Sequence, residues 1–218
     1  MLSGPIVPPR AGGKPDSIVI FLHGLGDSGA GLIDLAMPLA QELPHTAFHS
    51  PDAPEPYAMA PFGRQWFGLQ DWSQQAIYDG AGRAAPFLHD YIDAQLKTYT
   101  LPPTRLALMG FSQGGMMALH AGLRRPDRLG AVLSYSGGLV GSEHLAAEIR
   151  SHPPVLLVHG MLDTVVPYAA MPASMQYLKN SDVPVETETR PMLGHGIDDE
   201  GIMRGAHFLR RHLVDAEV

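Results

Sequence analysis

The stretch Leu106–Gly115, reading Leu-Ala-Leu-Met-Gly-Phe-Ser-Gln-Gly-Gly, constrains this chain more than any other. A short apolar run ends in Gly-x-Ser-x-Gly and passes directly into Met116, Met117, Leu119, His120 and Leu123, which follow a helical pattern. The segment therefore reads as strand, sharp turn, helix. Such a turn projects the hydroxyl of Ser112 into the open, and glycine is needed at 110 and 114, where side chains would collide. The first N–H groups of the helix, that of Gln113 among them, can stabilise a developing negative oxygen. Ser112 is thus the candidate nucleophile. The pentapeptide alone also arises in glycine-rich loops, and the chain has 24 glycines. The flanking strand and helix, and the partners found below, give it weight.

A serine hydroxyl attacks well only when a base takes its proton, and that base is a histidine oriented by a carboxylate. In a parallel sheet these partners stand on loops at the C-terminal ends of strands, in the order serine, acid, histidine. The apolar run Val155–His159 leads into Gly160-Met-Leu-Asp163-Thr-Val-Val-Pro167, and the alternating run Val185–Arg190 leads into Pro191-Met-Leu-Gly194-His195-Gly196. Asp163 and His195 take those positions. Of the 11 histidines, His195 combines the order, the strand-end position and the glycine flanks. His23 and His159, at strand ends, read as loop-shaping residues. Asp198 and Asp199 compete for the role of acid, but they sit where the last helix begins and serve there as first-turn acids.

The remaining strands and helices alternate. Ser17–His23 is a continuous apolar, β-branched run, the mark of a strand buried on both faces. It opens into His23-Gly24-Leu25-Gly26-Asp27-Ser28-Gly29, whose glycine spacing fits no phosphate-binding fingerprint. The N–H of Leu25 is the second candidate oxyanion donor. Helical spacing follows at Leu32, Leu35, Ala36, Leu39 and Leu43, with Pro38 expected to kink that helix or displace its start. Thr46–Ser50 reads as a short strand, Asp79–Thr98 as an amphipathic helix, and Gly130–Ser136 as a buried strand. Ser142–Arg150 is a short helical stretch that leaves no room for a large cap. Helices are expected near Tyr168–Asn180 and at the C-terminus, through Ile202, Ala206, Leu209 and Leu213. This alternation implies a parallel sheet covered on both faces.

Between Pro51 and about Tyr78 the character changes: prolines alternate with Tyr57, Met59, Phe62, Trp66, Phe67 and Trp72. The segment is too apolar for a solvated loop and too broken for a core element. It is expected to form a lid or pocket wall over the serine, the alternative being aromatics that simply pack a long loop onto the core. The acyl pocket is expected to draw on Trp66, Phe67, Leu69 and Val165.

The 218 residues, 45% of them hydrophobic, suffice for one well-buried core and are short for two, so residues 1–218 read as a single domain. A net charge of −7, with no basic run beyond arginine pairs, argues against nucleic acid and against anionic membrane surfaces. The absence of cysteine removes disulfides, thiolate metal sites and a cysteine nucleophile. No basic, apolar leader opens the chain and no apolar stretch approaches a membrane span, so a cytoplasmic location without stable membrane anchoring is expected. The histidines lack His-Glu-x-x-His spacing, so a metal hydrolase is not expected. A homodimer formed through the apolar lid is compatible with this composition but not required by it.

Taken jointly, Gly110-Phe-Ser-Gln-Gly-Gly115, His23-Gly-Leu-Gly-Asp27, His159-Gly-x-x-Asp163-x-Val-Val-Pro167 and Gly194-His195-Gly196 resemble the phospholipase/carboxylesterase family of small α/β-hydrolases. That family includes acyl-protein thioesterases and bacterial carboxylesterases. The resemblance covers most of the chain in the family's order. It implies a single-domain α/β-hydrolase fold and a triad of Ser112, Asp163 and His195. It also implies an oxyanion hole from the N–H groups of Leu25 and Gln113, and cofactor-free hydrolysis of a small-molecule ester or acyl substrate. Short- to medium-chain carboxylic esters are the expected substrates, with lysophospholipids or acyl-proteins as the alternative. A non-catalytic binding module on the same fold is the alternative of a different kind.

Overall fold

In the computed structural model, which describes residues 2–69, 71 and 73–215, the chain builds one seven-stranded sheet from β1 (Ile6–Val7), β2 (Ser17–Leu22), β3 (Thr46–His49), β6 (Leu106–Phe111), β7 (Ala131–Tyr135), β8 (Val155–Gly160) and β9 (Val185–Arg190). Their order across the sheet is β1-β3-β2-β6-β7-β8-β9. All neighbours run parallel except β1, which is antiparallel to β3. A two-stranded hairpin of β4 (Glu55–Pro56) and β5 (Arg64–Gln65) stands apart. The helices are α1 (Gly29–Leu32), α2 (Ala36–Glu42), α3 (Gln74–Tyr99), α4 (Gln113–Leu123), α5 (Leu145–Glu148), α6 (Ala170–Asn180) and α7 (Asp199–Leu213).

The period of two in the central strands sorts their side chains into two cores. Ile18, Ile20, Leu22, Leu106 and Leu108 face α3 and α4 on one side, while Val19, Phe21, Ala107 and Met109 face α2 and α7 on the other. Burial on both faces explains why these strands read as unbroken apolar runs. β9 is different. It lies at the sheet edge, so Val-Glu-Thr-Glu-Thr-Arg alternates, and Glu186 and Glu188 pair with Arg204 of α7.

Chain order fixes where a site can form. From β2 the chain steps outward to β3, then crosses back to β6 and proceeds through β7, β8 and β9. The direction of winding reverses between β2 and β6, and such a reversal opens a crevice at the C-terminal ends of the two strands. Leu22 pairs with Gly110 there, which brings the His23–Gly29 loop beside the Ser112 turn.

Several boundaries differ from expectation for local reasons. A 3-10 turn at Ile33–Leu35 precedes α2, and Pro38 falls in the first turn of that helix, where its missing N–H has no intrahelical use. α3 begins at Gln74, five residues before the expected start. Ser73 caps it by accepting from the Ala76 N–H, so the irregular segment ends earlier than Tyr78. β1 was not expected; it pairs Ile6 and Val7 with the outer edge of β3. Between β7 and β8 stand only the short helices at 142–148, so that connection holds no large cap. No helix among the described residues is long and apolar enough to cross a membrane.

Two buried histidines make stability depend on pH. His49 lies between the hydroxyls of Tyr91 and Tyr99 at 3.0 and 3.2 Å, and burial pulls its pKa down to about 4. His120, in the middle of α4, is pushed to about 3, first by burial and then by Arg124. The unfolded chain binds these protons near pH 6.5, whereas the folded chain does not. Stability is therefore complete above pH 6.5 and declines as pH falls toward 4. Between pH 7 and pH 5 each histidine accounts for roughly 2 kcal/mol. Urea unfolding at the two pH values is expected to show a loss of that order, with net proton uptake on unfolding; a flat profile would contradict it.

Candidate active site

β6 delivers its last residue to the crevice, and the backbone then turns sharply. Ser112 adopts φ +53°, ψ −119°, a left-handed conformation unusual outside glycine and the kind of local strain that persists where surrounding structure imposes it. Here the constraint comes from both sides. The Ser112 N–H donates to the Tyr135 carbonyl of β7 at 2.8 Å, and its carbonyl accepts from the Met116 N–H of α4 at 3.0 Å. The flanking glycines are required by close backbone approach. A Cβ on Gly110 would stand 2.0 Å from the Gly114 carbonyl oxygen, and one on Gly114 would stand 1.9 Å from that of Leu22. Ser112 occupies the N-cap of α4, yet its side chain caps no helix N–H. Its Oγ lies instead 3.0 Å from His195 Nε2.

His195 stands on the loop after β9, and its ring packs against Phe111 with centroids 4.9 Å apart. Its Nδ1 lies 2.8 Å from Asp163 Oδ2. A carboxylate can only accept, so Nδ1 carries the proton and Nε2 presents its lone pair to the Ser112 hydroxyl. Asp163 is held just as firmly. The N–H groups of Val165 and Val166 both donate to Oδ1 at 2.9 Å, and His159 Nε2 approaches Oδ2 at 3.3 Å while bonding the Val166 carbonyl at 2.9 Å. Burial pushes the Asp163 carboxyl up, but the bonds from His195, Val166 and Val165 outweigh it and hold the group below its usual value. His159 thus shapes the loop that carries the acid, as expected of it. Asp198 caps α7 through the Gly201 N–H at 2.9 Å and pairs with Arg190, leaving it no part in the cluster.

The glycine-rich loop brings Leu25 to the same crevice. Among the described residues its N–H has no partner, and the N–H of Gln113, first in α4, has no intrahelical acceptor. His23 is fully buried beneath the loop. Its Nδ1 donates to the Gly24 carbonyl at 2.8 Å, and its Nε2 accepts from the Ala53 N–H at 3.0 Å. That pattern demands a neutral ring, and burial lowers its pKa accordingly.

The expected pocket residues divide. Val165, 55% exposed, lines an apolar cavity of about 210 Å³ with Ile77, Met116, Leu139, Val140 and Val166. Met116 follows Ser112 by one helical turn and Val166 holds the acid, so this cavity adjoins the Ser112–His195–Asp163 cluster. Trp66 and Phe67 do not line that cavity; both are 1% exposed and belong to the core cluster. Their burial is polar as well as apolar. The Trp66 indole donates to the His23 carbonyl at 3.0 Å, and the Gln113 side chain bridges the Trp66 N–H and the Phe67 carbonyl, each at 2.8 Å. Leu69 is half-buried against the same core. Among the described residues of the segment, the large apolar side chains that face solvent are Met59 and Phe62, at the tip of the β4–β5 hairpin, with Phe62 91% exposed. Trp72 lies outside the described residues. The Gln113 side-chain bridge lies outside the sequence expectations, which concern only its backbone N–H; a polar glutamine at an otherwise apolar helix start beside Ser112 is the signal the sequence offers.

Comparison with known proteins places this geometry in context. Residues 6–213 match the sequence profile of the family described as Phospholipase/Carboxylesterase. Acyl-protein thioesterase 1 of Schizosaccharomyces pombe is 34% identical over 195 residues, spanning 85% of this chain and 86% of that protein. A probable carboxylesterase of Oryza sativa subsp. japonica is 32% identical over 215 residues, spanning 93% and 80%. Among solved structures, esterase PE8 superimposes with a TM-score of 0.93 at 38% identity, covering 97% of this chain and 99% of that one.

Proposed function

Because this chain belongs to the phospholipase/carboxylesterase family and is an ester hydrolase by that kinship, we propose that it is a serine carboxylesterase acting through Ser112, His195 and Asp163. The observation that carries the reading is the continuous chain of hydrogen bonds from Ser112 Oγ through His195 to Asp163, 3.0 and 2.8 Å long, at a strand-to-helix turn. His195 Nε2 takes the Ser112 proton as Oγ attacks the ester carbonyl. The Leu25 and Gln113 N–H groups receive the oxygen that becomes negative, and Asp163 stabilises the imidazolium. The tetrahedral adduct collapses as His195 protonates the leaving alkoxide, giving an acyl-enzyme. Water, deprotonated by the same histidine, then attacks the acyl carbonyl and frees the acid.

The cavity beside Val165 and Met116 is the proposed acyl site. At about 210 Å³ the cavity is smaller than those that enclose drug-sized ligands, which favours short to medium chains. A series of p-nitrophenyl esters from two to sixteen carbons tests this, with activity expected to peak near the middle of the short half. Val165→Trp, which fills the cavity, is expected to move the optimum to acetate and to depress octanoate relative to acetate by about tenfold or more. An unchanged profile would place the acyl chain elsewhere. The relatives named acyl-protein thioesterases favour a second reading, in which the leaving group is a thiol. Parallel kcat/KM values for matched oxygen and thioesters distinguish the two. Labelling by a fluorophosphonate separates either from a non-catalytic binding module.

A further inference from the structure

The four residues Arg64–Phe67 bond the segments that follow both strands of the crevice, the loop after β2 and the start of α4. At one end, Arg64 pairs with the glycine-rich loop through its backbone: its N–H donates to the Asp27 carbonyl at 2.8 Å and its carbonyl accepts from the Gly26 N–H at 2.9 Å. The Arg64 guanidinium is itself anchored to the carbonyls of Ala53 and Pro54, each at 2.8 Å. Trp66 holds the same loop from the other side of Leu25, its indole N–H donating to the His23 carbonyl. At the other end, the Gln113 side chain grips Trp66 N–H with its oxygen and the Phe67 carbonyl with its nitrogen. Phe67 is wedged against α3, where a Cβ on Gly80 would come within 2.9 Å of the phenyl ring. Every one of these polar groups is satisfied, and Trp66, Phe67 and Gln113 are all buried.

We propose that Arg64–Phe67 is a brace that sets the separation and aim of the two oxyanion donors, with the Gln113 side chain and Trp66 as its positioning residues. The inference rests on the reading of Leu25 and Gln113 as donors. Leu25 lies on a loop rich in glycine, with Gly26 at φ +80°, and no strand or helix fixes its N–H. The brace supplies that constraint by tying down the residue immediately after Leu25 and the one two before it. The same segment is bonded to the residue that carries the other donor, so both N–H groups are referenced to one rigid piece of chain. Preorganisation of this kind matters because donors that must reorient during the reaction lose most of their benefit. On this proposal Trp66 and Phe67 serve the carbonyl oxygen through the loop and helix that they hold.

The test uses Gln113→Met, which keeps the backbone N–H and side-chain length but loses both bonds, and Trp66→Phe, which loses only the indole bond. In Gln113→Met, kcat per titrated active site is expected to fall about a hundredfold, with KM for p-nitrophenyl butyrate unchanged within about twofold. Trp66→Phe is expected to fall less. Affinity for an alkylboronic acid, which mimics the tetrahedral adduct, should weaken in proportion to kcat/KM in both variants. A merely structural role would lower the active fraction and leave the affinity of the remaining sites intact. Unchanged boronate affinity and turnover per active site in Gln113→Met would overturn the brace. Amide exchange provides a readout independent of turnover: protection of the Gly26 and Trp66 N–H groups should drop in Gln113→Met. Retained protection refutes the brace whatever the substrate. Loss of protection in Gln113→Met, combined with a wild-type protein that shows no Ser112-dependent hydrolysis, would instead refute the catalytic reading alone.

Discussion

Ser112→Ala is expected to lower p-nitrophenyl butyrate turnover by about a million-fold, as removal of the nucleophile does in other serine hydrolases, while the protein remains folded. The structure separates these two effects. Among the described residues the Ser112 hydroxyl bonds only His195; it caps no helix N–H and leaves the backbone bonds to Tyr135 and Met116 untouched when it is removed. The left-handed backbone at 112 is imposed by those bonds and by the glycine contacts, so alanine inherits the strain without adding to it. Residual hydrolysis should come from the two N–H donors acting on a water-attacked carbonyl. The measurement is kcat beside a thermal melt. Turnover within tenfold of wild type in a folded Ser112→Ala protein would remove Ser112 from the chemistry.

Asp163→Asn is expected to cost about ten thousand-fold in kcat, the scale seen when a triad carboxylate becomes an amide. Asp163 accepts from three donors, His195 Nδ1 and the N–H groups of Val165 and Val166. An asparagine can accept through one atom only, so its NH₂ must oppose some of them. If the amide oxygen keeps the two backbone bonds, the NH₂ faces His195 and turns the ring into the tautomer that presents Nε2–H to Ser112, which cannot take a proton. If the amide flips, two buried backbone N–H groups lose their partner at a cost of about 1–3 kcal/mol each. Activity and stability are therefore expected to trade off through one rotamer. Measured together, kcat and the unfolding free energy should show at least one large loss; retention of both within a small margin would mean that Asp163 orients nothing.

Much of this arrangement was legible in consecutive residues. The strand, the glycine pair and the helix around Ser112 are encoded within ten positions, because a turn so tight leaves no steric alternative to glycine at 110 and 114. Asp163 and His195 were legible by the order of strands and the loops that follow them, since a parallel sheet presents all its C-terminal loops at one end. The segment from Pro51 to Gln74 was not. Its alternation of proline and aromatic residues distinguishes it from a regular element, but periodicity is silent about which aromatics turn inward when there is no period. Phe62 and Trp66 are four residues apart and look equivalent in sequence; one is exposed and the other is buried and hydrogen-bonded at both its indole and its backbone.

Consecutive residues specify what is local and periodic: the parallel α/β layering, the sharp turn at Ser112, and the three loops from which the candidate site is drawn. These follow from short-range sterics and from which faces of a strand or helix are apolar. What only the tertiary structure decided was the fate of side chains whose partners are distant in sequence. Gln113 reaches back 46 and 47 residues to Phe67 and Trp66, and Asp163 meets His195 across 32. A buried polar group must find a partner, but which partner is set by the packing of the whole sheet. The sequence of one segment carries no record of it.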